Sequence, residues 1–167
     1  MLKAFQIRAA RSATGIGVRD IGLYLKVSRT IISRWEQQMP LSEIKSNATD
    51  PNSLKFFFKQ HGISFPDTSS IVLDVSDASE FQTKSLTRFQ LRAARAALCL
   101  SQKDLATLTS IPQKIINYLE NQDNTTILNS PPKNVDDSVL RSFFEENGIV
   151  FKGNFCISLT KNIKFGE

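Results

Sequence analysis

The sequence FQIRAARSA at residues 5–13 returns as FQLRAARAA at residues 89–97, 84 positions along the chain. Eleven of the 33 residue pairs that align residues 5–37 with their counterparts are identical. The match resumes at an offset of 86, where LKFFFKQHGI at residues 54–63 aligns with LRSFFEENGI at residues 140–149. Self-similarity at a nearly fixed spacing is typical of a repeated structural unit. The chain is therefore predicted to contain two copies of one small domain.

The domain boundaries follow from where the two copies stop matching. The segment SDASEFQTKSLTR at residues 76–88 lies between the copies and is polar and rich in Ser and Thr, which is typical of a linker. We therefore predict a first domain at residues 1–75, a linker at residues 76–88 and a second domain at residues 89–167.

The composition narrows the class of protein. The 167 residues carry 21 Lys plus Arg against 16 Asp plus Glu, and 41% of them are hydrophobic, which excludes wholesale disorder. The longest apolar runs, such as residues 96–100, are far shorter than the roughly 20 residues of a membrane span, so no membrane partner is predicted. Arg8 and Arg11 interrupt the stretch where a signal peptide needs an unbroken apolar region, which predicts a cytoplasmic protein.

Each copy begins with three predicted helices. Apolar and small residues at the i, i+3, i+4, i+7 spacing predict the first helix, and a short second helix and a third helix follow. The third helix is predicted to begin near Ser28 or Pro112, and to point Trp35 of the first copy into the core. Gly22 and Ala106 are small enough for the second and third helices to approach closely at their turn. This pattern predicts a helix-turn-helix in each copy.

A further helix and a β-hairpin are predicted after the three helices of each copy. In the first copy, Pro51–Gln60 carries apolar residues at helical spacing and His61 ends the helix; in the second, Gly153 and Asn154 form a hairpin turn. An isolated hairpin is marginal in water, so the hairpins should pair either with each other or with those of a second chain in a homodimer. The sequence leaves both arrangements open. The predicted fold is mainly α, of the α+β class.

Motifs in both copies carry a resemblance to a known family. The second copy has SQKDLA at residues 101–106, and the first has DIG at residues 20–22 and VSRTII at residues 27–32. With these motifs the chain resembles the Cro and lambda-repressor-like helix-turn-helix family, the xenobiotic-response-element family of bacterial and phage regulators. The resemblance implies two tandem helix-turn-helix domains. It also implies that an arginine of the first helix pairs with a glutamate ending the third, as Arg11 with Glu36 and Arg95 with Glu120.

Two features depart from the family's pattern. Lys26 and Ser110 stand at the turn where the family usually has glycine, the residue that best tolerates a positive φ. The first copy also has Gly17 and Val18 where the second has Ser101 and Gln102. It therefore lacks a side chain that would cap the second helix or contact a phosphate.

The resemblance implies binding to double-stranded DNA, with the start of the third helix in the major groove. Six basic residues oppose two acidic ones between residues 5 and 37, and four oppose two in the second copy, so phosphate binding is favoured more strongly in the first. Arg and Lys can donate to guanine, and Gln and Asn can pair with adenine. The candidate DNA-binding residues are Arg19, Ser28, Arg29, Thr30, Ser33 and Arg34 in the first copy and Gln102, Lys103, Gln113, Lys114 and Asn117 in the second.

The leading hypothesis is a sequence-specific transcriptional regulator, such as a repressor, whose two copies read unlike half-sites. The alternative is a protein-binding module in which one or both copies no longer read DNA: an antitoxin, an anti-activator or a factor that docks on RNA polymerase. The weaker positive charge of the second copy and Val18 of the first favour this alternative. Arg8 and Arg92 on the first helices are assigned equally to solvated surface charges and to phosphate contacts.

An enzyme is not predicted. No motif places a Ser or Cys nucleophile near His61, and the sequence contains no phosphate-binding loop of the G-x-x-x-x-G-K-[ST] type. Cys99 and Cys156 form no C-x-x-C pair and, with a single histidine, cannot complete a zinc ligand set without carboxylates. No metal or other cofactor is therefore expected.

Overall fold

Helices and strands follow the same order in both halves of the chain. This computed structural model describes residues 1–45, 50–75 and 84–166, and within them eight helices and four strands form a mixed α+β fold, the predicted class. The first half contains α1 (Ala4–Thr14), α2 (Val18–Leu25), α3 (Arg29–Gln37), α4 (Pro51–Gln60), β1 (Ile63–Ser64) and β2 (Ser70–Leu73). The second contains α5 (Arg88–Ala97), α6 (Gln102–Thr109), α7 (Gln113–Glu120), α8 (Ser138–Glu146), β3 (Ile149–Lys152) and β4 (Cys156–Leu159).

The helices start where local chemistry favours a start. Ser101 precedes α6, and its Oγ accepts a hydrogen bond from the Asp104 main-chain N–H at 3.0 Å. Asp50 caps α4 in the same way, with Pro51 in the first turn where its missing N–H costs nothing. Gly17 precedes α2 and offers no capping side chain, as the sequence comparison of the two copies predicts. The second helix is therefore capped by a side chain only in the second half.

The four strands form one antiparallel sheet in the order β1-β2-β4-β3, so the two hairpins pair with each other through β2 and β4. Of the two arrangements that the sequence leaves open, the structure has the one within a single chain. Ile71 faces Ile157, its counterpart at the offset of 86. Ser70, one residue earlier, faces Ser158, one residue later. An antiparallel pair centred on equivalent residues has a local two-fold axis, so an approximate two-fold rotation relates the hairpins of the two halves.

The halves share one hydrophobic core. α1 packs against α5 across the junction, and buried apolar residues of both halves belong to a single continuous cluster. Ala9 and Ala10 on α1 and their counterparts on α5 are fully buried, and such small side chains allow two helices to approach closely. Phe5 and its counterpart Phe89 are also fully buried, and Trp35 is 4% exposed, as predicted for a core residue.

The glutamine of the repeated Phe-Gln dipeptide, Gln6 in the first half and Gln90 in the second, has a structural role. Gln6 is fully buried, and its Nε2 donates to the main-chain oxygens of Asp67 and Ser70, at 2.8 and 2.9 Å, in its own hairpin. Gln90 donates to the equivalent oxygens of Gly153 and Cys156. Because an unpaired buried amide is costly, both glutamines fix the hairpin of each half against its first helix.

The end of the predicted linker packs with the second half. Leu86 and Thr87 are fully buried, and α5 begins at Arg88 within the predicted linker range. Thr87 forms an isolated bridge with Ile127, the counterpart of the bridge between Lys3 and Glu43 in the first half. The earlier part of that linker, residues 76–83, lies outside the described residues.

The segment after β4 crosses to the other half of the molecule. Asn162 Oδ1 accepts a hydrogen bond from the Leu41 main-chain N–H at 2.9 Å, and Lys164 Nζ donates to the Gln37 carbonyl at 2.6 Å. Phe165 N–H donates to the Leu98 carbonyl and holds the segment to the end of α5 in its own half. The contacts of Asn162 and Lys164 add a third connection between the halves, besides the α1–α5 packing and the sheet.

None of the described helices could cross a bilayer, since the longest of them, α1, has 11 residues.

Candidate nucleic-acid interface

The turn between α2 and α3 is tight, and so is its counterpart between α6 and α7. Lys26 has φ of 58° and Ser110 has φ of 57°, so both adopt the left-handed conformation that glycine best tolerates. This conformation costs a non-glycine residue about 1 kcal/mol. A Cβ at Gly22 would lie 2.8 Å from the Val27 carbonyl oxygen, so the close approach predicted at Gly22 is present.

The candidate DNA-binding residues of the first half lie on the accessible side of α2 and α3. Ser28, Arg29 and Thr30 are exposed at the start of α3, whereas the opposite face of the helix contributes Ile32 and Trp35 to the core. Two hydroxyl side chains and one guanidinium are therefore accessible at the start of α3.

Further predicted residues extend this surface. Arg34 and Arg19 are exposed and Ser33 is half-buried. Among the described residues, no hydrogen bond or ion pair involves the guanidinium of Arg19, Arg29 or Arg34. These three cations are therefore available to a partner.

The corresponding surface of the second half is organised differently. Gln113 and Lys114 are exposed at the start of α7, and Lys103 is exposed on α6. Asn117 is also exposed, but its Nδ2 donates to Gln102 Oε1 at 3.3 Å. This surface carries two cations where the first half carries three arginines.

Side-chain amides connect α6 to the end of α7. Gln102 Nε2 donates to Glu120 Oε1 at 3.3 Å, and Asn121 Nδ2 donates to Asn117 Oδ1 at 3.0 Å. Asn117 and Gln102 complete the chain through the bond between them. The first half has Val18 and Ser33 at the positions of Gln102 and Asn117, so it cannot form this chain.

The two ion pairs implied by the resemblance are brought together by the fold. Arg11 Nε lies 2.9 Å from each carboxylate oxygen of Glu36. Arg95 bonds Glu120 through Nε and Nη2, both at 2.6 Å. Burial raises the pKa of Glu36, and the Arg11 guanidinium opposes this shift. Each pair ties the first helix of its half to the last turn of the third.

Arg8 lies buried at the junction, so its assignment from the sequence as a solvated surface charge is wrong. Its guanidinium donates to the carbonyls of Glu36 and Gln38 at the end of α3, and of Ala96 and Ala97 at the end of α5. Carbonyls at helix C-termini lack helical partners and carry partial negative charge, which stabilises a cation there. Burial nevertheless lowers the pKa of Arg8. Arg8 therefore joins the two halves.

Arg88 performs the matching task from the other half, and sequence reasoning missed it. Its Nε donates to the Glu120 carbonyl and its Nη1 to the Ala13 carbonyl, both at 3.0 Å. Ala13 is the counterpart of Ala97, which Arg8 contacts, but the counterpart of Arg88 is Ala4. Burial, with a contribution from Arg92, lowers the pKa of Arg88 to about 10. Because the two arginines occupy different repeat positions, the alignment of the copies contains no signal of their shared role.

His61 lies at the C-terminal end of α4, where the sequence predicts it. Its Nδ1 is 2.9 Å from the Phe57 carbonyl oxygen, and its ring packs on the Phe57 ring. Within the described parts of the chain, no group of three or more His, Cys, Asp and Glu side chains could hold a metal ion.

Comparison with known proteins adds no relative, since no family model, curated protein or solved structure matches the chain.

Proposed function

We propose that the protein is a sequence-specific transcriptional regulator of bacterial or phage type that binds double-stranded DNA in the cytoplasm. In this proposal residues 1–75 and 89–167 are tandem helix-turn-helix domains, and α3 and α7 each enter a major groove. The observation that carries it is the exposed start of α3, where Arg29 lines a shallow pocket with Arg19 of α2, and neither guanidinium has an intramolecular partner among the described residues.

The chemistry of these side chains suits both parts of DNA recognition. Unpaired arginines such as Arg19 and Arg34 can neutralise backbone phosphates, which supplies much of the affinity. Arg29 can donate to O6 and N7 of guanine. In the second half, Gln113 and Asn117 have the amide groups that pair with adenine. The two halves would therefore prefer different bases.

The two-fold relation between the halves adds a constraint on the operator. Ile71 pairs with its own counterpart Ile157, and Arg8 and Arg88 make matching contacts in opposite directions across the junction. Two readers related by a two-fold rotation meet the duplex in opposite orientations. We therefore expect the unlike half-sites to be inverted with respect to each other, not repeated in the same direction.

Selection of bound duplexes from a random pool at near-physiological salt tests the proposal. We expect enrichment of two unlike, inverted half-sites whose centres are about 10 base pairs apart. Arg29→Ala should relax the preference at one base position of one half-site and leave the other half-site unchanged. Lys45→Ala removes an exposed cation outside the candidate surface and serves as the matched control.

Two results would contradict the proposal. One is the absence of any enriched sequence, with only weak binding that salt abolishes. The other is an enriched sequence that Arg29→Ala and Asn117→Ala both leave unaltered, since the base contacts would then lie elsewhere.

A second candidate is the protein-binding module, acting as an antitoxin, an anti-activator or a factor that docks on RNA polymerase. Exposed apolar side chains on the neighbouring helices α2 and α4 favour it: Leu23 is 70% exposed, Tyr24 43% and Phe56 57%. A Phe56→Ser variant should keep full duplex affinity if α3 reads DNA. Absence of selective duplex binding by the wild-type chain would favour this candidate instead.

A further inference from the structure

A cleft of about 350 Å³ lies at the junction of the two halves, away from the exposed start of α3. α1 contributes Arg8, Arg11 and Ser12 to its lining, and α5 contributes Arg92. Glu36 is the one carboxylate among the lining residues, so three guanidinium groups face a single negative charge. The cleft therefore has an excess of positive charge.

Two of the three cations already have strong partners. Arg8 donates to four main-chain carbonyls at the ends of α3 and α5. Arg11 pairs with Glu36 through Nε, and only its Nη2 is left without a hydrogen-bond partner among the described residues. Carbonyl contacts do not neutralise the charge of Arg8, so the cleft keeps a net positive charge after Arg11 has paired with Glu36.

Arg92 has the weakest contacts of the three. Its Nε lies 3.4 Å from Ser12 Oγ and 3.8 Å from Glu120 Oε1. In the described parts of the chain, Nη1 and Nη2 of Arg92 have no hydrogen-bond partner. Arg141 Nε is the one side-chain nitrogen or oxygen there that is both buried and unpartnered, so Nη1 and Nη2 of Arg92 are accessible to solvent. Burial, and the nearby cation Arg95, lower the pKa of Arg92 against the opposing effect of Glu120. A bound anion would offset the cost of keeping this partly buried guanidinium charged.

The start of α2 adds donors to the same cleft. Gly17 lines it and has no side chain to cap the helix, so the first main-chain N–H groups of α2 lack an intramolecular side-chain acceptor. Helix N-termini with free N–H groups favour anions. In the second half, Ser101 occupies the equivalent position and caps α6. Asp20 in the first turn of α2 places a carboxylate close to Gly17, so the preference of the cleft for an anion rests on the guanidinium nitrogens.

We propose that this cleft binds a phosphate group, held by Nη1 and Nη2 of Arg92 and by Nη2 of Arg11, with the Ser12 hydroxyl as a further donor. A planar guanidinium matches two phosphate oxygens at once, which a chloride ion cannot exploit. Because Arg11 belongs to the first half and Arg92 to the second, the phosphate bridges the halves. The group belongs either to a free phosphate compound or to the DNA backbone, and the second source rests on the proposed function.

Titration of the full chain with inorganic phosphate tests this site. Calorimetry and ³¹P NMR, against sodium chloride at equal ionic strength, should show saturable binding of one phosphate per chain. Arg92→Gln should weaken this binding about tenfold, the loss expected for one bidentate charge-assisted contact. Lys45→Gln removes the same charge from an exposed position outside the cleft and should leave phosphate binding unchanged.

Folding of the variants is checked separately, since Arg92 is partly buried. Arg92→Lys keeps the charge but loses the planar fork, so an intermediate affinity is expected; Ser12→Ala should give a smaller loss. A cooperative unfolding transition for each variant shows that the junction is intact. Equal phosphate binding by wild-type protein and Arg92→Gln, or no saturable binding by the wild type together with unaltered duplex binding by the variant, would overturn the site.

The two sources of phosphate give different results in a duplex-binding assay. If the backbone of DNA fills the cleft, Arg92→Gln weakens binding to all sequences alike, and inorganic phosphate competes with the duplex. If a free compound fills it, Arg92→Gln binds duplex normally and phosphate binds the protein–DNA complex. The cleft fails while the regulator proposal stands if the wild-type chain selects a duplex but phosphate and Arg92→Gln affect neither assay.

Discussion

The two halves of the molecule have the same framework and different polar surfaces. Gln6 and Gln90 hold their hairpins through equivalent hydrogen bonds, and Phe5 and Phe89 are equally buried. The exposed starts of α3 and α7, by contrast, hold no identical side chain at the candidate DNA-binding positions. The duplicated framework therefore tolerates independent changes on the exposed surface of each half.

The junction shows a second kind of divergence. Arg8 and Arg88 satisfy matching helix ends across the two-fold, yet they come from repeat positions four residues apart. What is preserved there is the cation beside helix-terminal carbonyls, while the residue that supplies it differs. Symmetry of contacts therefore exceeds symmetry of sequence.

The largest expected effect tests whether the halves form one folding unit. Phe5→Ala and Phe89→Ala each remove a fully buried ring from the shared core and should each lower the free energy of unfolding by about 3 to 5 kcal/mol. Because the core is continuous, both variants should shift a single transition in urea, followed by circular dichroism and by Trp35 fluorescence. Two separate transitions, with each variant affecting one of them, would contradict a common core.

The two ion pairs should differ in their importance. Glu120 accepts from Arg95 twice and also from Gln102, whereas the Glu36 carboxylate bonds only Arg11 among the described residues. Glu120→Gln should therefore destabilise the protein by about 3 kcal/mol, and Glu36→Gln by less. Chemical denaturation at neutral pH measures both. An equal loss of stability would mean that the hydrogen bond from the Gln102 side-chain amide contributes nothing.

Substitutions of the candidate DNA-binding residues of the two halves should affect different base positions. Arg29→Ala and Asn117→Ala should each cost about 1 to 3 kcal/mol of binding free energy, and each should act in a different half-site. Competition with duplexes that carry single base changes locates each effect. If both variants relax the same base pair, the assignment of one half-site to each half is incorrect.

The smallest effect concerns the start of the second helix. Ser101→Ala removes the hydroxyl that caps α6 and should cost about 1 kcal/mol. Gly17→Ser should do the reverse in α2 by a few tenths of a kcal/mol, because φ at Gly17 is −78° and an added Cβ meets nothing closer than 3.5 Å. Thermal unfolding of the two variants compares them. A loss of stability in Gly17→Ser would show that the site differs from its counterpart in more than the cap.

Repetition and helical spacing predicted the helical plan, the hairpins and the core position of Trp35, because these depend on local patterns that recur. The tasks of Arg8 and Arg88 could not be predicted, since contacts between distant helix ends leave no periodic trace in a sequence. The same holds for the cleft around Arg92. The buried Leu86 in the predicted linker was missed for a different reason, because the Ser and Thr around it hid a single apolar residue.

Closing the two-fold contact within one polypeptide changes how assembly depends on abundance. Separate chains that associate only in pairs come apart on dilution, and their stability is tied to how many molecules are present. Here β2 meets β4 through a covalent tether, so the partner strand is supplied at an effective concentration set by the chain itself. The halves therefore stay joined when a cell holds a single molecule, and each can mutate without forcing the same change on its partner.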